Sequence, residues 1–186
     1  MSTDTKNILL QRENGVLSMQ FNRPEQRNAM SLEMVSELLV ALQAAESDGS
    51  TRVIVLRGSG GHFCAGADLK DMASARARMA DGQPNAVAEA NASFGNLCVA
   101  FASTPLAVVA VVEGTVMGGG FGLACAADVT LALDNTVFRL PETSLGLVPA
   151  QIAPFLVERL GYAEAKRLAV TGLKLTAQQA LSIRLV

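Results

Sequence analysis

Tryptophan is absent from the 186 residues, and tyrosine and histidine occur once each. A single imidazole, His62, cannot build a His-rich metal site, and it leaves few options for a Ser-His-Asp triad. Cysteine is scarce too. Cys64, Cys98 and Cys125 are odd in number, widely spaced and set in apolar or glycine-rich stretches. No C-x-x-C pattern links them, so they read as reduced thiols of a cytoplasmic protein, and no metal site is expected. Charge is sparse as well: 17% of residues carry it and the net is -2. That balance gives no basic footprint and disfavours nucleic acid as a partner. No apolar run approaches the length of a membrane span. The first seven residues are polar and lack an apolar signal core. What is plentiful is apolar side chains, at 50%, and glycine, at 16 residues. This composition fits one compact domain over 1–186 with a sizeable core.

The pattern along the chain alternates strand and helix. Residues 8–12 and 16–21 read as strands around Asn14-Gly15, a hairpin signal. Ser31 is a plausible N-cap for a helix to about Ser47, whose apolar residues Leu32, Val35, Leu38, Leu39 and Leu42 fall at helical spacing. Residues 53–56 and 107–112 read as buried strands. Residues 74–91 are Ala-rich and polar and contain Gly82-Gln83-Pro84. They read as a mobile excursion that reforms a helix over about 85–102, stopped by Pro105. Gly118-Gly119-Gly120 opens a helix through Ala126, strands follow at 129–133 and 137–139, and three helical segments lie after Pro141. The alternation indicates an α/β fold.

Two strand-to-glycine junctions stand out, Gly58 to Asp68 and Glu113 to Gly122. In each, a buried strand leads into small residues and then a helix start. Small residues let a ligand approach backbone N–H groups, and a helix N-terminus adds unpaired donors and positive partial charge. Two such donors converging on one point would make an oxyanion hole. Neither junction is a Walker loop or a G-x-G-x-x-G pattern.

Four blocks in order carry a resemblance. They are Asn22-Arg23-Pro24 with Asn28-Ala29-Met30, Phe63-Cys64-Ala65-Gly66-Ala67-Asp68-Leu69, Glu113-Gly114 with Gly118-Gly119-Gly120, and Pro141-Glu142 with Leu145-Gly146. Together they resemble the crotonase (enoyl-CoA hydratase/isomerase) superfamily. The resemblance implies a spiral of repeated β-β-α units and an acyl-CoA thioester as substrate. Coenzyme A is part of that substrate, and no separate cofactor is implied. The family's two oxyanion-hole donors would fall on the amides of Ala67 and Gly119, with Ala65 and Gly118 beside them. The strip Ala67, Asp68, Leu69 and Lys70 would contact the CoA nucleotide. Arg23 and Arg27 are candidates for the CoA phosphates, with solvated surface charge as the alternative. The family also carries C-terminal helices that build a homotrimer or a dimer of trimers. The abrupt end at Ile183-Arg184-Leu185-Val186 gives the expectation of a core without them.

Hydratases of the family present two glutamates. Glu142 fills the second position, and its apolar neighbours would raise its pKa toward the acid/base range. The first position is Gly122, which carries no acid. Glu142 could therefore work alone, as in the family's double-bond isomerases. Alternatively Glu113, Asp68, Asp128 or a substrate carboxylate could replace the missing group, or activity could be lost and an acyl-CoA-binding remnant left. Thioester hydrolysis or C–C cleavage on the same scaffold is a further alternative. The run 140–154 looks like members acting on methylglutaconyl- or isohexenylglutaconyl-type thioesters. His62, Cys64 and Cys125 read as structural residues.

Overall fold

The computed structural model describes residues 6–186. β1 (Ile8–Glu13) and β2 (Val16–Phe21) form the expected antiparallel hairpin, with Asn14 and Gly15 both at positive φ. β3 (Val53–Gly58), β4 (Ala107–Val112) and β6 (Val129–Ala132) add in parallel, giving the order β1-β2-β3-β4-β6. A smaller sheet holds β5 (Thr115–Met117), β7 (Val137–Arg139) and β8 (Lys174–Thr176) in the order β5-β7-β8. β4 with β5 and β6 with β7 thus each send one strand to each sheet, as in a β-β-α spiral. Cys64 bridges Val116 in parallel, so the segment after β3 takes the matching place beside β5.

Helices fill the spaces between the turns of the spiral. α1 (Leu32–Ser47) starts where Ser31 accepts a hydrogen bond from the Met34 N–H at 3.2 Å, a cap worth about 1 kcal/mol. It packs Met34, Val35, Leu38 and Leu42 into the core. α3 (Ala86–Ser103) adds Leu97, Cys98 and Phe101. The segment read as a mobile excursion, 74–91, begins inside a helix, α2 (Leu69–Ala80). The Asp68 side chain caps it by accepting from the Lys70 N–H, and it buries only Ala75. With one small residue buried, the segment carries almost no apolar periodicity to read. α4 (Gly119–Ala126) is buried nearly all round, and Phe121 meets Phe138 edge-on with ring centroids 5.6 Å apart. Arg159, on α5 (Ala153–Leu160), donates to the Cys125 and Ala127 carbonyls and so satisfies the C-terminal end of α4. α6 (Tyr162–Thr171) and α7 (Ala177–Ser182) complete the fold. No described helix is long and apolar enough to cross a membrane.

Candidate active site

The two glycine junctions meet. Gly66 sits at φ +98°, and a Cβ on it would lie 3.2 Å from the Met117 carbonyl oxygen and 3.7 Å from Gly118 Cα. Gly118 sits at φ +49°, and a Cβ there would lie 3.0 Å from Glu142 Oε1 and 3.6 Å from Gly66 Cα. A side chain at either position would adopt a disfavoured backbone conformation and push the two loops apart. Glycine at both positions is what allows the contact.

The directions of two N–H groups follow from their peptides. The Gly66 carbonyl accepts from the Met30 N–H at 2.8 Å, and the Asp68 N–H donates to the Met30 carbonyl at 3.0 Å. A trans peptide holds its C=O and N–H on opposite sides. The Ala67 N–H therefore points away from Met30, toward the side where β5 and Gly118 lie. The Gly118 carbonyl accepts from the Gly122 N–H at 3.0 Å, so the Gly119 N–H points out of the N-terminus of α4. Neither amide has a protein acceptor among the described residues. The ring of Phe94 lies over Gly119, with carbons 2.8–3.2 Å from where a Cβ would be.

Glu142 stands in a 3-10 turn, Glu142–Leu145, behind Pro141. Its Oε1 is the atom beside Gly118, and its Oε2 is buried with no hydrogen-bond partner. Burial pushes the Glu142 carboxyl up from the ordinary value, against a smaller opposing pull from its own backbone N–H. A half-buried carboxylate that lacks a partner holds its proton more readily than one in water. The sequence reading of an apolar setting for Glu142 agrees with this environment.

At the position of the family's first glutamate the space is already taken. A Cβ on Gly122 would lie 2.1 Å from Ile152 Cγ2 and 3.8 Å from Cys98 Sγ. Ile152 is 3% exposed. No side chain fits at position 122 while Ile152 holds that place. Two of the alternative acids, Asp128 and Asp68, are bonded elsewhere. Asp128 Oδ2 accepts from the Val108 N–H at 2.7 Å, and Asp68 pairs with Arg23 at 2.6 Å.

The other sequence candidates divide. Ala67, Leu69 and Lys70 are exposed, Ala65 and Gly119 are partly exposed, and Gly118 is buried. Arg27 is exposed, and neither its side chain nor that of Lys70 has a partner among the described residues. Arg23 is not free: its guanidinium donates to Asp68 and to the Ala29 carbonyl. A groove of about 460 Å³ runs along Arg23, Asp68 and Lys70. Its acidic lining residues, Glu25, Glu33, Asp68 and Asp71, outnumber Lys6, Arg23 and Lys70. That sign is unfavourable for a polyphosphate. His62 accepts the Thr115 N–H on Nδ1 at 3.1 Å, a structural bond. Burial raises the thiols of Cys64 and Cys125 to about 12 and that of Cys98 further, so all three stay protonated at neutral pH. No cluster of metal-ligating side chains occurs among the described residues. Phe94 and Ile152 were missed as site residues. Their roles depend on contacts between distant segments, which no local signal announces.

Residues 11–186 match the family model for enoyl-CoA hydratase/isomerase. The chain is 34% identical over 175 residues to 3-hydroxyisobutyryl-CoA hydrolase 1 of Arabidopsis thaliana, covering 94% of this chain and 46% of the relative. It is 35% identical over 180 residues to 2,3-dehydroadipyl-CoA hydratase of Escherichia coli, covering 96% and 67%. A crystal structure of an enoyl-CoA hydratase/isomerase from Marinobacter aquaeolei superposes with a TM-score of 0.93 at 45% identity, over 98% of this chain and 69% of that one. The chain thus spans from about half to two-thirds of the length of these relatives.

Proposed function

Because the chain belongs to the enoyl-CoA hydratase/isomerase family, we propose that it acts on an enoyl-CoA thioester through an enolate. In this reading Glu142 carries the proton, and the Ala67 and Gly119 N–H groups hold the enolate oxygen. The observation that supports it most is Glu142 itself, a half-buried carboxylate with one buried, unpartnered oxygen and the other against Gly118, one residue from the outward-facing Gly119 amide. A thioester carbonyl seated at the two amides would place its α-carbon beside that carboxylate.

The chemistry follows from the parts. Removing an α-proton leaves negative charge on the carbonyl oxygen. Each aligned backbone donor lowers that barrier by about 3 kcal/mol. A carboxylate with a raised pKa is a stronger base and can give the proton back at the α- or γ-carbon. Arg27 and Lys70, the cations without acidic partners near the strip, would meet the CoA phosphates. Leu69 and the backbone of Ala65 to Asp68 would flank the nucleotide and the pantetheine arm.

The filling of the Gly122 slot by Ile152 favours proton transfer between carbons over water addition by two glutamates. Hydration, if it occurs, must draw its water onto Glu142 or onto a carboxylate carried by the substrate. The test is a panel of 2-enoyl- and 3-enoyl-CoA esters incubated in heavy water, with products followed by mass. Double-bond migration with deuterium at the α- or γ-carbon supports the single-carboxylate reading. Rapid hydration of a plain 2-enoyl-CoA, with no double-bond shift of a 3-enoyl-CoA, counts against it.

A further inference from the structure

The aim of the Ala67 amide depends on the short parallel bridge between Ala67 and Met30. Two backbone bonds make that bridge, a third runs from the Ala65 N–H to the Arg27 carbonyl at 3.0 Å, and neither segment belongs to a regular sheet. So short a ladder between irregular segments gains from a side-chain tie across it. One guanidinium makes that tie on both sides. Arg23 donates to Oδ2 of Asp68, the residue after Ala67, at 2.6 Å, and it also donates to the carbonyl of Ala29, the residue before Met30. Its side chain is 17% exposed and that of Asp68 is 8% exposed.

The rest of the block braces the arginine. Its N–H donates to Asn28 Oδ1 at 2.9 Å. The Asn28 amide in turn donates to the Ser59 carbonyl at 2.9 Å and the His62 carbonyl at 2.6 Å. Asn28 is fully buried. The other oxygen of Asp68 caps α2 through the Lys70 N–H at 2.8 Å. Burial pushes the Asp68 carboxyl up, but its bonds to Arg23 and Lys70 and the Arg23 charge outweigh this and hold it below the ordinary value. The pair therefore remains ionised at neutral pH.

We propose that Arg23 and Asp68 are a positioning pair that locks the Met30–Ala67 bridge and so sets the aim of the Ala67 N–H, rather than contacts for coenzyme A. The proposal rests on Ala67 as a donor to the thioester. Both of the guanidinium's hydrogen bonds go to the two sides of the bridge, and a planar fork suits that task as a point charge does not. A phosphate approaching Arg23 would meet a guanidinium whose charge is already offset by Asp68 and whose side chain is 17% exposed.

The test separates aim from affinity. Cinnamoyl-CoA is the probe, because its ultraviolet band moves to longer wavelength when its conjugated carbonyl accepts hydrogen bonds. Wild-type protein should bind it with a red shift. Arg23→Met should bind it and free CoA with nearly unchanged Kd, lose most of the shift, and lower kcat on a turned-over enoyl-CoA by about 10²-fold, the scale of a misaligned group. Arg23→Lys, which keeps the charge but not the fork, should fall between the two. If Arg23→Met does not fold, Asp68→Asn retains shape and cap and should show the same split. A weaker Kd for free CoA with the red shift intact would make Arg23 a coenzyme ligand and overturn the proposal. So would an unchanged shift and kcat. No red shift in the wild type would instead remove the donor role of Ala67 and Gly119 itself, and the positioning role with it.

Discussion

Asp68, buried at the end of the first glycine junction, and Glu142, half-buried with Oε1 beside Gly118 of the second, are pulled in opposite directions by their surroundings. Asp68 has a guanidinium, a helix N–H and a carboxyl held below its ordinary value. Glu142 has an orphaned oxygen and a carboxyl held above its ordinary value. A partnered carboxylate is stabilised as an anion and gives nothing to a substrate. An unpartnered one is strained as an anion and gains by meeting a proton. The difference fits the proposed division, Asp68 as a structural group and Glu142 as the proton carrier, although both lie in blocks that resemble the family's motifs.

Truncation should break the comparison most sharply at Asp68. Asp68→Ala leaves a largely buried guanidinium without its partner and removes the α2 cap, so a loss of about 3 kcal/mol is expected from denaturant melts. The pH dependence should match. The pKa of Asp68 is lowered on folding, so its stabilisation is present above the unfolded value of about 3.9 and is lost as pH falls through the lower folded value. The Asp68→Ala protein should therefore lose the part of the acid sensitivity that this residue contributes.

Gly122→Glu sharpens the contrast from the other end, since it adds a carboxylate where the structure has no room. With Ile152 2.1 Å from the Cβ position, overpacking of about 1–3 kcal/mol is expected by the same melts. Adding Ile152→Gly should recover much of that loss and open a second acid position. If the double variant gains hydration of a plain 2-enoyl-CoA, the missing glutamate is what sets the reaction. A single Gly122→Glu variant as stable as wild type would show that Ile152 yields freely.

The smallest expected effect has the opposite sign. Glu142→Gln removes an anion that lacks a partner, so the fold should gain about 1 kcal/mol near neutral pH. The sign follows from a pKa raised on folding. Below the unfolded value, about 4.3, both states are protonated and ionisation carries no penalty. As pH rises through the window up to the folded value, the wild type loses stability that the glutamine variant keeps. Thermal melts at pH 4 and pH 8 should therefore show a larger gap between the two proteins at pH 8.

Parts of the fold and of the site were legible in the sequence, but the opposite roles of Asp68 and Glu142 were not. Asn14-Gly15, the buried runs of β3 and β4 and the triple glycine located the hairpin, the main sheet and the start of α4. Glu142 and Gly122 were read as present and absent acids from motif position alone. Sequence could not show what lies opposite a residue. Arg23 looked like a cation free for phosphate because its partner is 45 positions away. The filling of the Gly122 slot by Ile152 is likewise a contact across 30 positions. The second half of α2 fell in the excursion read over 74–91 because it is Ala-rich and polar and buries a single alanine, and β5 and β8, three residues each, are too short to carry a period.

The most direct test of Glu142 as the proton carrier is solvent exchange. Wild type and Glu142→Gln should be saturated with the same enoyl-CoA ester in heavy water, and deuterium at the α- and γ-carbons followed by mass. Thioester binding should persist in the variant while exchange and turnover fall by about 10²-fold or more. Exchange at the wild-type rate in a folded, thioester-binding Glu142→Gln protein would mean that another group moves the proton, and the assignment of Glu142 would be wrong.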